Sequence, residues 1–375
     1  MKIFRFRDVV PEIPRLLFRR SLRFRFELLP QEARNLSGRK IMNFFVAGLN
    51  QFFKPARPFG HPVVAQVEPS NYCNLACPLC VTTSQSNARP RALLSLETFK
   101  AFIDEVGDYL LIIVLWNWGE PFLNPDLCRM IAYAKKKGIV VHCSTNGNVP
   151  MDDAKADELV ASGLDSLVFG IDGATEETYR QYRKGGDLSR VTGNIEKILQ
   201  ARKRQGVTTP RLVLRFVVMS HNEHEIEPAR ALAKSLGVDY FSLKNVDLPS
   251  SCGENLDDKY VPAADEYRRY EYSGKIGERK RQPFTCMRPW KRITLDALGH
   301  VIFCEMDYQN LHPFGRMSED SSAMSAWKGD TAASFRREFH DGHNRFAPCV
   351  TCTYKNSTTD GCIITCTPLR PTQET

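Results

Sequence analysis

No uninterrupted apolar run in this 375-residue chain reaches the roughly 18 residues that a bilayer-spanning helix needs, so nothing in it is expected to cross a membrane. No secretory signal is read either. Residues 1–25 thread arginines through their apolar residues and lack a compact apolar stretch ending at a small-residue cleavage site. The expectation is a cytoplasmic protein, where thiols stay reduced, which removes disulfides as the reason for 12 cysteines. Metal or cluster ligation remains. With 42% apolar and 25% charged residues, a disordered or collagen-like chain is excluded, and the length suits two domains or a large α/β barrel with an appendage.

Acid is scarce at one end. Residues 1–60 hold 13 Lys and Arg against four Asp and Glu, and 10 of the 22 Phe, although the whole chain carries only +8. A basic, Phe-rich segment reads as a surface for a membrane, a nucleic acid or an acidic partner. Its apolar stretch 41–53, flanked by Arg39, Lys40, Lys54 and Arg57, is too short to span a bilayer but suited to lying in an interface. The alternative is a helix packed across the open end of a barrel. The prolines of 54–62 then make a linker.

From residue 62, short β-branched runs alternate with amphipathic stretches. Strands are expected at 63–68, 110–116, 139–144, 166–171, 212–219 and 240–246. Helices are expected at 96–106, 125–136, 152–162, 175–183 with 188–204, and 223–236. Six β/α units imply a parallel sheet with right-handed crossovers, and the pattern alone leaves a partial barrel and a doubly wound sheet both open. In either, ligands bind at the carboxyl ends of the strands. The unusual motifs lie there.

Three cysteines, Cys73, Cys77 and Cys80, follow the first strand with spacing C-x3-C-x2-C. Thiolates so spaced can converge on one face of an iron–sulfur cube, leaving one iron open. A zinc site with a remote fourth ligand such as His142 or His61 is the other reading of the spacing. Trp118-Gly119-Glu120-Pro121 follows the second strand, Ser144-Thr-Asn146-Gly147 the third, and Gly170-Ile-Asp172-Gly173-Ala174 the fourth. Singly, each is an ordinary turn string. In order, at successive strand ends, they resemble the radical S-adenosylmethionine (radical SAM) superfamily.

The resemblance, over roughly residues 62–246, implies a partial (β/α)6 TIM-like barrel. It implies a [4Fe-4S] cluster on Cys73, Cys77 and Cys80 whose open iron chelates S-adenosylmethionine. Trp118, Gly119, Glu120 and Pro121 match the family's Gly-Gly-Glu-Pro, whose backbone receives the methionine amino group; Trp118 stands where the family has glycine. Ser144 and Asn146 match the segment near the ribose. Gly170 and Asp172 match Ser-Ile-Asp-Gly, with the Ser hydroxyl missing at Gly170. Arg215 in the fifth strand is expected to meet the cofactor carboxylate, and Leu243 in the sixth to lie near the adenine. The chemistry implied is reductive cleavage of S-adenosylmethionine to a 5'-deoxyadenosyl radical, which abstracts a hydrogen atom from a substrate carbon; a flavodoxin or ferredoxin would supply the electron. No other catalytic residue is assigned.

The tail adds six cysteines. Cys286 and Cys304 flank a hairpin expected at 295–303, and Cys349-Val-Thr-Cys352 and Cys362-Ile-Ile-Thr-Cys366 follow. A zinc ribbon fits the spacing. The C-x12-G-x4-C opening and the C-x2-C resemble the SPASM or shorter twitch extension, which holds auxiliary clusters. One auxiliary [4Fe-4S] cluster is expected on Cys286, Cys304, Cys349 and Cys352. Cys362 and Cys366 are either extra ligands or part of an incompletely ligated second cluster, with Cys252 a remote candidate. Cys128 and Cys143 are expected to be core thiols.

The expected organisation is α/β: 1–61 a basic Phe-rich helical segment and linker, 62–250 the partial barrel, 251–285 a connector, and 286–375 the SPASM/twitch-like iron–sulfur domain. The basic start points to a membrane lipid or lipid-linked glycan as substrate and to peripheral membrane contact. A ribosomal peptide or a sugar is the alternative, and a non-catalytic iron–sulfur or zinc protein is the alternative of another class. No nucleic-acid partner is expected.

Overall fold

The computed structural model describes residues 6–83, 89–248, 256–273, 278–342, 345–358 and 362–370. Six parallel strands carry the fold: β3 Val64–Val67, β4 Ile112–Leu115, β5 Val140–Thr145, β6 Ser166–Gly170, β7 Arg211–Val218 and β8 Tyr240–Asn245. They pair in chain order, each neighbour parallel. Six β/α units with a parallel sheet are what the alternating pattern led one to expect, and the strands follow one another in chain order as in a partial barrel.

The helices form for local reasons visible in the sequence. Leu96–Val106 begins at Ser95, whose hydroxyl accepts the Thr98 N–H at 3.0 Å, and Leu96, Phe99, Phe102, Ile103 and Val106 form its buried stripe. One side of each strand faces such stripes: Ala65, Ile113, Val141, Leu167, Leu214 and Phe241 pack with Phe99, Ile131, Leu159 and Ile195 in the main core. The other side faces the lumen of the curved sheet.

That lumen is floored by the N-terminal segment. Strands β1 Leu22–Phe26 and β2 Leu29–Ala33 form an antiparallel hairpin. Leu22, Phe26 and Ala33 pack on Val64, Ile112, Val114 and Val140, and Leu29 packs on Val168, Val213 and Tyr240. The segment expected to be helical thus contains a β-hairpin as well. Its alternation Leu22-Arg-Phe24-Arg-Phe26 has a period of two, which suits a strand and not a helix. The hairpin turn holds Glu27 at φ 50° and Leu28 at φ 64°. Non-glycine residues there cost on the order of 1–3 kcal/mol each, so the tertiary contacts must fix them. They do: Glu27 meets Arg215 at 2.7 Å, Gln31 donates to Ser166 Oγ at 3.2 Å, and Arg211 donates to Gln31 at 2.7 Å.

The tail extends the same sheet at both edges. β9 Arg292–Leu295 lies parallel on β3; β10 His300–Ile302 and β11 Pro313–Arg316 add antiparallel strands outside it. At the far edge β12 Ile363–Pro368 runs antiparallel to β8. The described sheet has ten strands, ordered β11-β10-β9-β3-β4-β5-β6-β7-β8-β12.

Candidate active site

The strand-end motifs are joined to the cysteine loop by direct hydrogen bonds. A Cβ on Gly119 would stand 2.0 Å from the Ser70 carbonyl oxygen and 2.8 Å from that of Tyr72, so only glycine lets this backbone lie against the start of the loop. Beside it the Glu120 N–H donates to the Tyr72 carbonyl at 2.9 Å. The Glu120 carboxylate then accepts three donors: the N–H groups of Phe122 at 3.1 Å and Asn146 at 2.7 Å, and Thr145 Oγ1 at 2.8 Å. Burial pushes this carboxyl up, against the pull of those donors. Glu120 is therefore the bolt between the second and third strand ends, and Pro121 opens the short helical turn that it caps.

Asn146 faces the thiols. Its amide donates to Cys73 Sγ at 3.3 Å and to Asn74 Oδ1 at 2.9 Å, and the Leu75 N–H also points at Cys73 Sγ, at 3.4 Å. Gly147 takes φ +72°, with Val191 and Phe169 filling the room a Cβ would need. From the fourth strand end, Asp172 accepts Arg183 Nε at 2.6 Å and the Val217 N–H at 2.9 Å. Arg183 Nη1 lies 3.9 Å from Cys77 Sγ. Burial pushes the Cys77 thiol up to about 12, with Arg183 pulling the other way, and burial raises Cys73 too.

Two expected contacts are directed elsewhere. Arg215 is engaged by Glu27 of the hairpin floor. Leu243 packs in the main core with Phe241, on the helix side of β8, away from the lumen. Ser144, on the lumen side of β5, pairs in register with Val168. His142 Nδ1 is bonded to Ser166 Oγ in the floor and His61 stacks on Tyr109 at 3.6 Å between ring centroids, so neither is the fourth ligand of a zinc site. Among the described residues, no three His, Cys, Asp or Glu side chains close around a single ion.

The second thiol group lines one pocket. Cys286, Cys304, Cys349 and Cys352 all face it, with Arg288, Lys355, Phe303 and Met306. Burial pushes Cys349 up to about 12 and lifts Cys304 and Cys352 as well. Four thiols with two cationic side chains lining one pocket are a donor set suited to an anionic four-iron cluster. Cys366 is not among them. It lies opposite Ser242 on β12 and packs against the floor cluster of Leu29, Val168, Val213 and Tyr240. Cys362 sits near Tyr354 and Arg269. Cys362 precedes β12 and Cys366 lies within it, roughly 13 Å further along extended chain and past a register shift between Ile363 and Thr365, so the two thiols are not brought to one site. Cys252 lies outside the described residues. Cys128 and Cys143 are buried in the main core.

Comparison with known proteins decides the family. A profile of the radical SAM superfamily matches residues 67–233, and one of the SPASM iron–sulfur cluster-binding domain matches residues 286–353. The chain belongs to the radical SAM superfamily. It is a SPASM-type radical SAM enzyme whose cofactors are S-adenosylmethionine, a [4Fe-4S] cluster and auxiliary iron–sulfur clusters. It is 32% identical to the AdoMet-dependent heme synthase of Methanosarcina barkeri over 44% of this chain and 45% of that one, less than half of the relative's length. It is 26% identical to the mycofactocin maturase MftC of Mycobacterium ulcerans over 80% and 83% of the two chains. To the PqqA peptide cyclase of Gluconobacter oxydans it is 28% identical over 47% of each. The structure of Streptococcus suis SuiB bound to S-adenosylmethionine shares the fold, with a TM-score of 0.57 at 14% identity, covering 86% of this chain and 78% of SuiB. The described helices include none long and apolar enough to cross a membrane.

Two further residues, Arg183 and His221, lie outside the cysteine and strand-end motifs. Arg183 signals itself only through the absence of a side chain at Gly170. His221, just after β7, has a buried Nε2 with no hydrogen-bond partner, 6.3 Å ring to ring from Tyr260.

Proposed function

We propose that this enzyme abstracts a hydrogen atom from a side chain of a ribosomally made peptide. The observation that carries the chemistry is the junction of Cys73, Glu120 and Asn146 by hydrogen bonds, above a hairpin-sealed lumen and beside a four-cysteine cavity. When bound, the cluster and S-adenosylmethionine supply one-electron reductive cleavage of a carbon–sulfur bond, and with it hydrogen abstraction from an unactivated carbon. The chain's own part is positioning. Cys73, Cys77 and Cys80 would hold the cluster, and Asn146 and the Leu75 N–H donate toward a ligand sulfur. Gly119 lets the second strand end approach, and Glu120 fixes that approach. The hairpin from Leu22 to Ala33 closes the lumen to water from below. Cys286, Cys304, Cys349 and Cys352 would hold the auxiliary cluster. The peptide reading is supported by two relatives, one a maturase and one a peptide cyclase by name. Anaerobic incubation with reductant, S-adenosylmethionine and precursor peptides tests it, a mass change on a peptide being the expected result. Deoxyadenosine formation without change to any peptide, but with a change to a lipid extract, would move the substrate to the second reading.

That second reading, a membrane lipid or lipid-linked glycan, is favoured by one surface. Of 14 exposed large apolar side chains among the described residues, 10 lie between Val10 and Phe59. On the helix Gly38–Gly48 and its continuation, Lys40, Asn43, Phe44 and Asn50 are buried, while Met42, Phe45, Leu49 and Phe53 stand 68, 39, 44 and 67% exposed. The segment thus seals the barrel and also presents an apolar stripe, and Arg19, Arg20, Arg23, Arg34 and Arg39 of the same segment are exposed. Exposed apolar side chains in an arginine-rich segment fit an anionic bilayer surface, each basic residue near it adding on the order of 1 kcal/mol. Full-length protein should co-sediment with phosphatidylserine vesicles at low salt and be released by salt. A Phe45→Ser/Phe53→Ser variant should stay in the supernatant. Wild type in the supernatant at low salt would end this reading and leave the peptide.

A further inference from the structure

Where the family carries a serine after the fourth strand, this chain has Gly170, and the space is filled from elsewhere. A Cβ on Gly170 would stand 2.4 Å from Arg183 Nη2 and 3.2 Å from its Cζ. Arg183 follows the helix Glu176–Tyr182, and its guanidinium folds back across the bare glycine. The next residue is tied to the cysteine loop: the Ala76 N–H donates to the Lys184 carbonyl at 2.9 Å.

We propose that Arg183 sets the reduction potential of the radical SAM cluster by holding a positive charge against Cys77, in space that Gly170 leaves open. The proposal rests on reading Cys73, Cys77 and Cys80 as the cluster's ligands. Three features of the geometry support it. The guanidinium is oriented, because Nε donates to Asp172 Oδ2 at 2.6 Å while Nη1 lies 3.9 Å from Cys77 Sγ. Its clamp is itself immobile: the other Asp172 oxygen accepts the Val217 N–H at 2.9 Å, and the Asp172 carbonyl accepts Asn222 Nδ2 at 3.0 Å. Both partners are shielded, with Asp172 fully buried and the Arg183 side chain 17% exposed, so the field is weakly screened. The pair is a dipole whose positive end meets the thiol. A cluster gains one negative charge on reduction, spread over its irons and sulfurs. A fixed cation beside a ligand sulfur therefore stabilises the reduced form and raises the potential.

The sign makes the test specific. Midpoint potentials of the reconstituted full-length protein are read by electron paramagnetic resonance, using the signal that S-adenosylmethionine alters. Arg183→Met, which keeps bulk and removes charge, should lower the midpoint. Gly170→Ser, which pushes the guanidinium off Cys77, should lower it too. Asp172→Asn, which leaves the cation uncompensated, should raise it. General damage to the loop would move the variants together, so the opposite sign of Asp172→Asn separates electrostatics from disorder. Arg183→Lys should recover part of the Arg183→Met loss. If Arg183→Met does not load iron, Gly170→Ser and Asp172→Asn carry the comparison. Midpoints unchanged from wild type, or shifted one way in both the charge-removing and the uncompensated variants, overturn the proposal. A wild-type protein with no such signal overturns the cluster assignment first, and the proposal with it.

Discussion

The indole Nε1 of Trp118 donates to the backbone carbonyl of Glu305 at 2.5 Å. One residue belongs to the second strand end and the other follows Cys304 of the auxiliary cavity, so this bond ties the two cysteine sites together. Glu305 is held on its other side by Arg288 at 2.8 Å and Arg292 at 3.2 Å, and the Trp118 ring meets Tyr308 edge-on. The residue that replaces a family glycine thus adds a side-chain tie between barrel and tail to the pairing of β9 with β3 and of β12 with β8.

Trp118→Phe keeps the ring and deletes the donor, leaving a partly buried carbonyl unpaired. A stability loss of about 1–3 kcal/mol is expected, read from denaturant unfolding, with iron content unchanged. A loss under a few tenths would mean that water replaces the indole without cost.

Glu120→Gln replaces an acceptor of three donors with a group that must turn an amide toward the Asn146 N–H or Thr145. Iron should be retained while deoxyadenosine formation falls about 10–100-fold, the usual effect of disturbing groups that orient a metal site. Wild-type turnover would show that the strand ends are fixed by the backbone alone.

Iron content separates the tail cysteines. Full loading at both sites gives about eight irons per chain, four per cube. Cys349→Ala/Cys352→Ala should fall to about four, and Cys366→Ala should stay at about eight, because that thiol packs in the barrel floor. Loss of iron in Cys366→Ala would contradict its placement.

The floor contact carries a pH dependence. Burial opposes the Glu27 charge, but Arg215 and His142 more than offset it, and the folded carboxyl is held far below the ordinary 4.5. Burial also holds His142 below its ordinary 6.5. Both folded values are depressed, so both groups contribute stability that is present above the unfolded values and lost as pH falls, first below 6.5 and then below 4.5. Glu27→Gln strands Arg215 and should cost about 3–5 kcal/mol at neutral pH, with the gap to wild type narrowing in acid. A constant gap from neutral pH to pH 3 would exclude the ion pair as its source.

How legible this was from sequence depends on period and parity. The helix Leu96–Val106 could be read to the residue, because Ser95 caps it and its apolar spacing has no strand alternative. The six strands and the strand-end motifs followed from β-branched runs ending in glycine turns. The hairpin from Leu22 to Ala33 is also written in the sequence, as alternation, although the segment 1–61 as a whole was expected to be helical. Leu243 and Cys366 were not legible. Which face a buried strand residue takes is set by register, and in β12 a shift between Ile363 and Thr365 resets it. Arg183 was invisible because its role is defined by the missing side chain of a residue 13 positions earlier.

The central claim is that Cys73, Cys77 and Cys80 hold the cluster that acts on S-adenosylmethionine, separately from the tail. The direct measurement is deoxyadenosine formed by anaerobic, reconstituted protein with reductant and S-adenosylmethionine, alongside iron content, for wild type and the triple variant Cys73→Ala/Cys77→Ala/Cys80→Ala. The account predicts deoxyadenosine from wild type, none from the triple variant, and about four irons still bound in the tail of the latter. Undiminished cleavage in the triple variant would contradict it.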